Sequence, residues 1–140
     1  MTTFQNSSEA KNSDKFLEMT KTQVTSQELS NLVVEGMQEK KASNIVILDL
    51  REIKQAVADF FVICSGNSVN QVDAITDSIE EVIYKAIQED PWRKEGKENK
   101  EWILLDYVDV VAHIFRKDRR EFYDLEDLWG DANITRIEDL

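Results

Sequence analysis

Four aspartates beside apolar runs are the residues whose type could support phosphoryl-transfer chemistry: Asp49, Asp59, Asp106 and Asp109. Paired carboxylates at strand ends can hold Mg²⁺ for such a reaction. The turn Ser65–Ser68 also resembles the Gly-Ser turn of a nucleotidyl transferase, where the next helix N-terminus can hold an anion.

The pattern of acids that a nucleotidyl transferase needs is missing from the strands. Such an enzyme carries Asp-x-Asp on one strand face, and no Asp-x-Asp or Asp-x-Glu follows on a predicted strand. Asp106 and Asp109 straddle a predicted turn, so they need not face the same point. We therefore predict that the chain is not an enzyme and needs no metal or cofactor. A metal-dependent nucleotidyl transferase-like enzyme is the alternative function.

The single histidine and the single cysteine are better explained as structural residues. His113 lies in an apolar run, with neither a cysteine nor a second histidine near it, and metal ligation needs several ligands. We predict a half-buried, hydrogen-bonded histidine in the sheet. Cys64 lies in another apolar run without an evident activating group, which predicts a core thiol.

Apolar runs rich in Ile, Val and aromatic residues predict the strands that position these groups. Trp102–Leu105 and Val110–Phe115, joined by a short polar connector, predict a β-hairpin. Two buried strands are predicted at Asn44–Leu50 and Asp59–Ser65, and either a short edge strand or an ordered strap at Ile134–Ile137. Runs this apolar need helices on at least one side of the sheet.

Three capping-box spacings predict helix starts. They are Thr25 with Glu28, Ser68 with Gln71, and Asp118 with Glu121. Apolar residues then recur on one face of each helix. The inward residues are Leu29, Leu32, Val33 and Met37 in the first, Val72, Ile75, Ile79, Val82, Ile83 and Ala86 in the second, and Phe122, Leu125, Leu128 and Trp129 in the third.

The connections complete the predicted order of elements. Asp90-Pro91 should end the second helix, because the residue before proline is forced out of helical geometry, and Gly130 should cap the third. Arg51–Ala58 and Trp92–Lys100 are predicted as an irregular link and a charged loop. The order predicts an α/β (α+β) domain with a mixed β-sheet and flanking helices.

Composition and charge bound the environment and the partners. The chain has 140 residues, 41% of them hydrophobic, and a net charge of −11, all of which belongs to residues 25–140. An acidic domain repels phosphate backbones, so nucleic acid is not expected as the main contact. A basic protein partner and simple acidic solubility explain the charge equally well. No apolar run reaches the roughly 18 residues of a membrane helix, and we expect a cytoplasmic protein without a membrane contact.

The first residues differ from the rest of the chain. Residues 1–24 are rich in Ser, Thr, Asn, Gln and Lys, with few large apolar side chains. Such a segment cannot bury enough surface to offset the entropy of ordering, which predicts a disordered tail. Residues 25–140 are then predicted to form one folded domain.

Three motifs in order resemble those of the Iojap family, the ribosomal silencing factors. Ala58–Ser68 reads ADFFVICSGNS and is similar to the family's ADYFVIATGTS-type motif. Trp102–Phe115 reads WILLDYVDVVAHIF and is similar to WxLLDYGDVVVHVF. Arg120–Trp129 resembles REFYDLExLW, and Glu95-Gly96 stands where the family has its EG pair. The resemblance covers about residues 26–132.

The resemblance implies a fold like the nucleotidyl transferase core without its catalytic acids. It also implies a factor without enzymatic activity, which binds protein uL14 of the large ribosomal subunit. That contact blocks association with the small subunit and represses translation. Family members are often homodimers when free.

The resemblance further implies where the partner binds. The family's uL14 contact includes the tryptophan that opens the hairpin and the residues around its turn. On this chain the matching or adjacent partner-binding residues are Trp102, Leu104, Leu105, Asp106, Tyr107 and Asp109. One position departs from the motif, since the glycine of DYGD is Val108 here. If that glycine has a positive φ, the turn must accommodate a β-branched residue there.

Overall fold

A six-stranded mixed sheet with helices on both faces forms the framework of the chain, in a computed structural model that describes residues 24–140. The predicted α/β (α+β) class with a mixed sheet is confirmed. Its elements are α1 (Ser26–Glu39), β1 (Ser43–Asp49), β2 (Phe60–Gly66), α2 (Val69–Ile87), β3 (Arg93–Glu95), β4 (Trp102–Asp106), β5 (Val110–Arg116), α3 (Lys117–Tyr123), α4 (Leu125–Leu128) and β6 (Asn133–Ile137).

The strand order across the sheet is β3-β4-β5-β2-β1-β6. Only β2 and β5 run parallel, and the crossover between them contains α2, β3 and β4. The other four pairs are antiparallel, including the predicted hairpin β4-β5. The predicted strand near the C-terminus is confirmed as β6, which pairs with β1 at one edge of the sheet.

The helices α1 and α2 begin where their capping residues predict. Thr25 Oγ1 accepts from Glu28 N at 3.0 Å and Glu28 Oε1 accepts from Thr25 N at 2.9 Å, which is the complete capping box. Ser68 Oγ accepts from Gln71 N at 3.1 Å. These bonds satisfy amide groups that a helix N-terminus otherwise leaves unpaired.

Close contact between α1 and α2 depends on a glycine. A Cβ at Gly36 would lie 2.6 Å from Ile79 Cα, so no larger residue fits at this crossing without moving a helix. Ser78 Oγ donates to Gly36 O at 2.8 Å and fixes the same contact. The pair α1-α2 then covers one face of the sheet, where the larger hydrophobic core lies.

The two faces of the sheet are both apolar but are covered differently. The face under α1 and α2 contributes Ile45, Ile47, Phe60, Val62, Cys64, Ile103, Leu105, Val110, Ala112 and Ile114. The opposite face, called the second face below, contributes Val46, Leu48, Phe61, Ile63, Val111 and Phe115. The link 51–58 and the segment of α3 and α4 pack on that second face, where Trp102 and Leu104 stay only partly buried.

The end of α2 and the loop after it differ from the prediction. The helix ends at Ile87, where Gln88 takes a left-handed conformation with φ 55°, so the chain leaves the helix before Asp90-Pro91. Val82 is only half-buried and Ala86 is exposed, whereas Ile87 is buried. The predicted charged loop contains β3, which pairs with β4. The charged residues of β3 hide the strand from a hydrophobicity pattern.

The predicted third helix is two helices. α3 begins at Lys117 without a side-chain cap, so the predicted capping box of Asp118 and Glu121 is wrong. Asp124 takes a left-handed conformation with φ 46° and separates α3 from α4. Helical periodicity does not continue through that break, so Phe122 and Leu128 are exposed rather than inward.

Two further predictions concern the ends of the folded part and the membrane. The predicted disordered tail, residues 1–24, lies outside the described residues except for Val24, which packs against the core under α1. Within residues 24–140, no helix combines the length and the apolar composition needed to cross a lipid bilayer.

Candidate docking surface

The hairpin β4-β5 divides the predicted partner-binding residues between the two faces of the sheet. Successive side chains of a strand point to opposite faces. Trp102, Leu104 and Asp106 lie on the second face, opposite Phe115, His113 and Val111 of β5 in the register of the pair. These three residues of β4 are called the β4 row below.

Leu105 and Tyr107 belong to the other face and do not join the β4 row. Leu105 is fully buried and Tyr107 nearly so, both in the core under α1 and α2. Burial raises the pKa of the Tyr107 phenol above its ordinary value. In this conformation a partner cannot reach either side chain, so their assignment to a partner contact is corrected. The alternation along β4 was the sequence signal that separates them from Trp102, Leu104 and Asp106.

Trp102 is part of the second core as well as of the surface. Its ring stacks on Phe115 with centroids 5.0 Å apart and lies 4.7 Å from the ring of Tyr123 in α3. Its Nε1 donates a hydrogen bond to His113 Nδ1 at 3.0 Å. The side chain is nevertheless half-buried rather than buried, so one part of the indole remains accessible.

His113 is a buried neutral residue that holds the indole of Trp102. Because Nδ1 accepts the indole hydrogen bond, the imidazole proton lies on Nε2. Burial lowers the pKa of His113 to about 3, since the charged form would lose its hydration without gaining a partner. Phe61 contacts the imidazole edge-on, with ring centroids 4.5 Å apart. The predicted hydrogen bond is confirmed, but His113 is fully buried rather than half-buried, because Phe61 and Trp102 pack against its ring.

The turn of the hairpin presents carboxylates and one strained residue. Asp106 Oδ1 accepts from Val108 N at 2.8 Å, and Asp109 N donates to Tyr107 O at 3.0 Å. Val108 has φ 76°, a left-handed conformation that a β-branched residue rarely adopts. The positive φ considered for the family glycine is therefore present here with valine. Asp109 is exposed at the tip of the turn.

In the part of the chain that the structure describes, the remaining groups with catalytic potential do not assemble into a reactive cluster. Cys64 is fully buried in the larger core, and burial raises the pKa of its thiol to about 12. Asp49 is held by Arg51, whose hydrogen bond lowers the pKa of that carboxyl below its ordinary value. Within residues 24–140, no three His, Cys, Asp or Glu side chains converge as a metal-ligand set.

Exposed apolar residues beside the hairpin turn extend the surface that the β4 row begins. Trp92, Val108 and Val57 line a cleft of about 370 Å³ together with Arg93, Asp106 and Val111. Trp92 is a single apolar residue in a polar segment, and Val57 lies between two alanines in the irregular link, so neither stands out by its hydropathy. The pairing of β3 with β4 places Trp92 beside Asp106, and the link after β1 brings Val57 to the same cleft.

Comparisons with known proteins agree with the motifs of the hairpin. A family model described as "Ribosomal silencing factor during starvation" matches residues 23–140. The chain is 44% identical over 115 residues to "Ribosomal silencing factor RsfS" of Halalkalibacterium halodurans, which covers 82% of this chain and 97% of that protein.

Two further similarities concern a solved structure and a more distant relative. A crystal structure of a protein from Chromobacterium violaceum is 34% identical, with a TM-score of 0.70 over 76% of this chain and 87% of that one. The chain is 29% identical over 102 residues to the mouse protein "Mitochondrial assembly of ribosomal large subunit protein 1", covering 71% of this chain and 44% of that protein. By the extent of the family match and the identity to its curated member, the chain belongs to the RsfS family of ribosomal silencing factors.

Proposed function

We propose that this protein binds the large ribosomal subunit through protein uL14 and thereby blocks association with the small subunit, which represses translation. The observation that carries the proposal is the β4 row, whose half-buried side chains lie on the sheet face opposite α1 and α2. The names of the relatives support a ribosomal partner, and the mouse relative's name specifies the large subunit. The protein acts in the cytoplasm and by binding alone, without catalysis.

The chemistry of the surface fits a basic protein partner. Trp102 and Leu104 provide half-buried apolar contact area, and the carboxylates of Asp106 and Asp109 lie at its edge. Anchors in the centre of an interface contribute most of its energy, while surrounding charges guide the partner and fix its register. We infer that uL14 places an apolar contact on Leu104 and the exposed part of Trp102, with cations toward Asp106 and Asp109.

Silencing then follows from competition for one surface. A factor bound to uL14 at the subunit interface occupies space that the small subunit needs. The fraction of large subunits that is silenced therefore depends on the concentration of the factor relative to its Kd for the large subunit. Such a mechanism needs no chemical step.

Sedimentation with separated ribosomal subunits tests this function. The purified protein should move with large subunits and remain behind with small subunits, and it should lower the yield of joined ribosomes when the subunits are mixed. Failure to bind large subunits would contradict the proposal. Nucleotide turnover with Mg²⁺ would instead favour the alternative, a nucleotidyl transferase-like enzyme.

A double variant that adds positive charge tests the β4 row together with the hairpin turn beside it. Leu104→Lys with Asp109→Lys should weaken subunit binding by roughly thirtyfold, equivalent to about 2 kcal/mol. Leu104 is half-buried and a lysine stem can replace its contacts while the ammonium reaches water. Trp102 stays unchanged, because removing it would also empty part of the second core.

The control is Asp77→Lys, which reverses one charge on the far side of the domain. Asp77 is exposed on α2, and α2 covers the opposite face of the sheet. At 150 mM salt this variant should bind large subunits as the unmodified protein does, and both variants should give unchanged melting curves. If the double variant folds and still binds normally, the β4 row is not the docking surface.

A further inference from the structure

A cleft beside the hairpin turn joins apolar residues from three separate segments of the chain. Val57 comes from the link after β1, Trp92 from the segment before β3, and Val108 from the turn itself. Their exposed fractions are 88%, 73% and 56%. Single exposed apolar residues are common on protein surfaces, but several around one cleft indicate a binding surface.

The cleft already holds a guanidinium of the protein's own. The Cζ of Arg93 lies 5.8 Å from the centroid of the Trp92 ring. Arg93 Nη2 is 3.5 Å from Asp106 Oδ2, and Nη1 is 3.3 Å from Glu95 Oε2. An aromatic face beside carboxylates is the environment in which arginine, with its planar and weakly hydrated head, binds best.

The internal contacts of Arg93 are weak enough to be exchanged. Its side chain is about half exposed, and both ion-pair distances exceed those of a tight pair. Exposed ion pairs of this kind contribute little to folding, so losing them does not disturb the fold. A second guanidinium that arrives with further contacts can therefore displace the first.

The cleft is continuous with the β4 row. Asp106 belongs to both, and Val111, which lines the cleft, is the residue opposite Asp106 on β5. A partner that covers Leu104 and Asp106 consequently also reaches Trp92 and Val108. Its cations are the groups that the carboxylates of Asp106 and Asp109 attract.

We propose that the cleft of Val57, Trp92 and Val108 is a specificity pocket for an arginine side chain of the basic partner. This inference rests on the proposed function and names the contact that the sequence motifs do not include. The incoming guanidinium lies on the Trp92 ring and pairs with Asp106, displacing Arg93. Its aliphatic stem packs against Val57 and Val108.

Two variants with opposite expected effects test the pocket. Trp92→Ala should weaken binding to purified large subunits by about tenfold, because it removes the aromatic face. Arg93→Ala should strengthen binding by severalfold, because it removes the internal competitor. Tyr84→Ala is the control, since Tyr84 is another exposed aromatic residue and lies on α2, and it should leave the affinity unchanged.

The outcomes separate this inference from the function on which it rests. If the unmodified protein does not bind large subunits, both are overturned. If it binds and Trp92→Ala binds equally well, only the pocket is overturned, and the same holds if Arg93→Ala weakens binding. Should Trp92→Ala reduce self-association in sedimentation velocity while subunit binding is unchanged, the cleft takes a second copy of this chain and the proposal is wrong.

Discussion

Trp102 and His113 form a hydrogen-bonded pair in which the indole determines the tautomer of the imidazole and the imidazole helps to fix the orientation of the indole. The imidazole accepts the indole N–H at 3.0 Å and therefore keeps its own proton on Nε2. The indole is held between this bond and the rings of Phe115 and Tyr123, so its accessible part has a fixed orientation. An anchor that is ordered before binding loses less side-chain entropy when the partner arrives.

The pH dependence of stability should report the buried His113. Its pKa is about 3 in the folded protein against 6.5 for the free side chain, so the unfolded chain binds the extra proton between these values. The free energy of unfolding must therefore fall as the pH falls through this range. We expect a loss of about 2 kcal/mol from this residue between pH 7.5 and 5.

Urea unfolding at pH 7.5 and 5, for the unmodified protein and for His113→Gln, measures this contribution. The glutamine amide can still accept the indole hydrogen bond but does not titrate. Carboxylates titrate mostly below this interval, because their ordinary pKa is near 4. Equal pH dependence in the two proteins would show that His113 titrates normally in the folded state.

At the scale of elements, the sequence predicts the helix starts and strands that are determined by residues close to one another in the chain. The capping bonds of Thr25 and Ser68 depend on residues three apart, and both helix starts were predicted. The sequence does not predict the break at Asp124 or the early end of α2 at Gln88. Each depends on a left-handed conformation that neither residue type requires. β3 was missed because its pairing with β4, not its composition, makes it a strand.

The hairpin turn gives a prediction at this scale. Val108→Gly should stabilise the protein by about 1 kcal/mol, because a non-glycine residue at positive φ costs of order 1–3 kcal/mol and glycine loses somewhat more backbone entropy on folding. Val108 is largely exposed, so little packing is lost. Thermal unfolding should show a melting temperature raised by several degrees.

The control for this turn is Val108→Ala, which removes the branched side chain and keeps the Cβ. Alanine still occupies the left-handed conformation, so its effect should be clearly smaller than that of glycine. If alanine stabilises the turn as much as glycine does, the strain comes from the β-branch. A destabilised glycine variant would show that Val108 contributes packing that its exposure does not reveal.

At the scale of the whole molecule, the candidate surface depends on which acidic side chains lie on the same face of the sheet. The net charge of the chain carries no information about their positions. The charge of −11 was known from the sequence, as were the hairpin and its motifs. Alternation along β4 could have separated Leu105 and Tyr107 from the β4 row. The position of Trp92 beside Asp106 could not be predicted, because it follows from the long-range pairing of β3 with β4.

The salt dependence of association should distinguish local from global charge. Asp109→Lys and Asp77→Lys both change the net charge from −11 to −9, but they lie on opposite sides of the sheet. The Debye length is about 30 Å at 10 mM salt and about 8 Å at 150 mM, shorter than the distance across the layers. We therefore expect both variants to slow association with purified uL14 alike at 10 mM. At 150 mM only Asp109→Lys should remain slower, by severalfold in kon.

Stopped-flow measurements at the two salt concentrations provide these rates. Equal slowing by both variants at 150 mM would mean that the partner responds to the total charge, and the acids of the hairpin turn would then have no special part in docking.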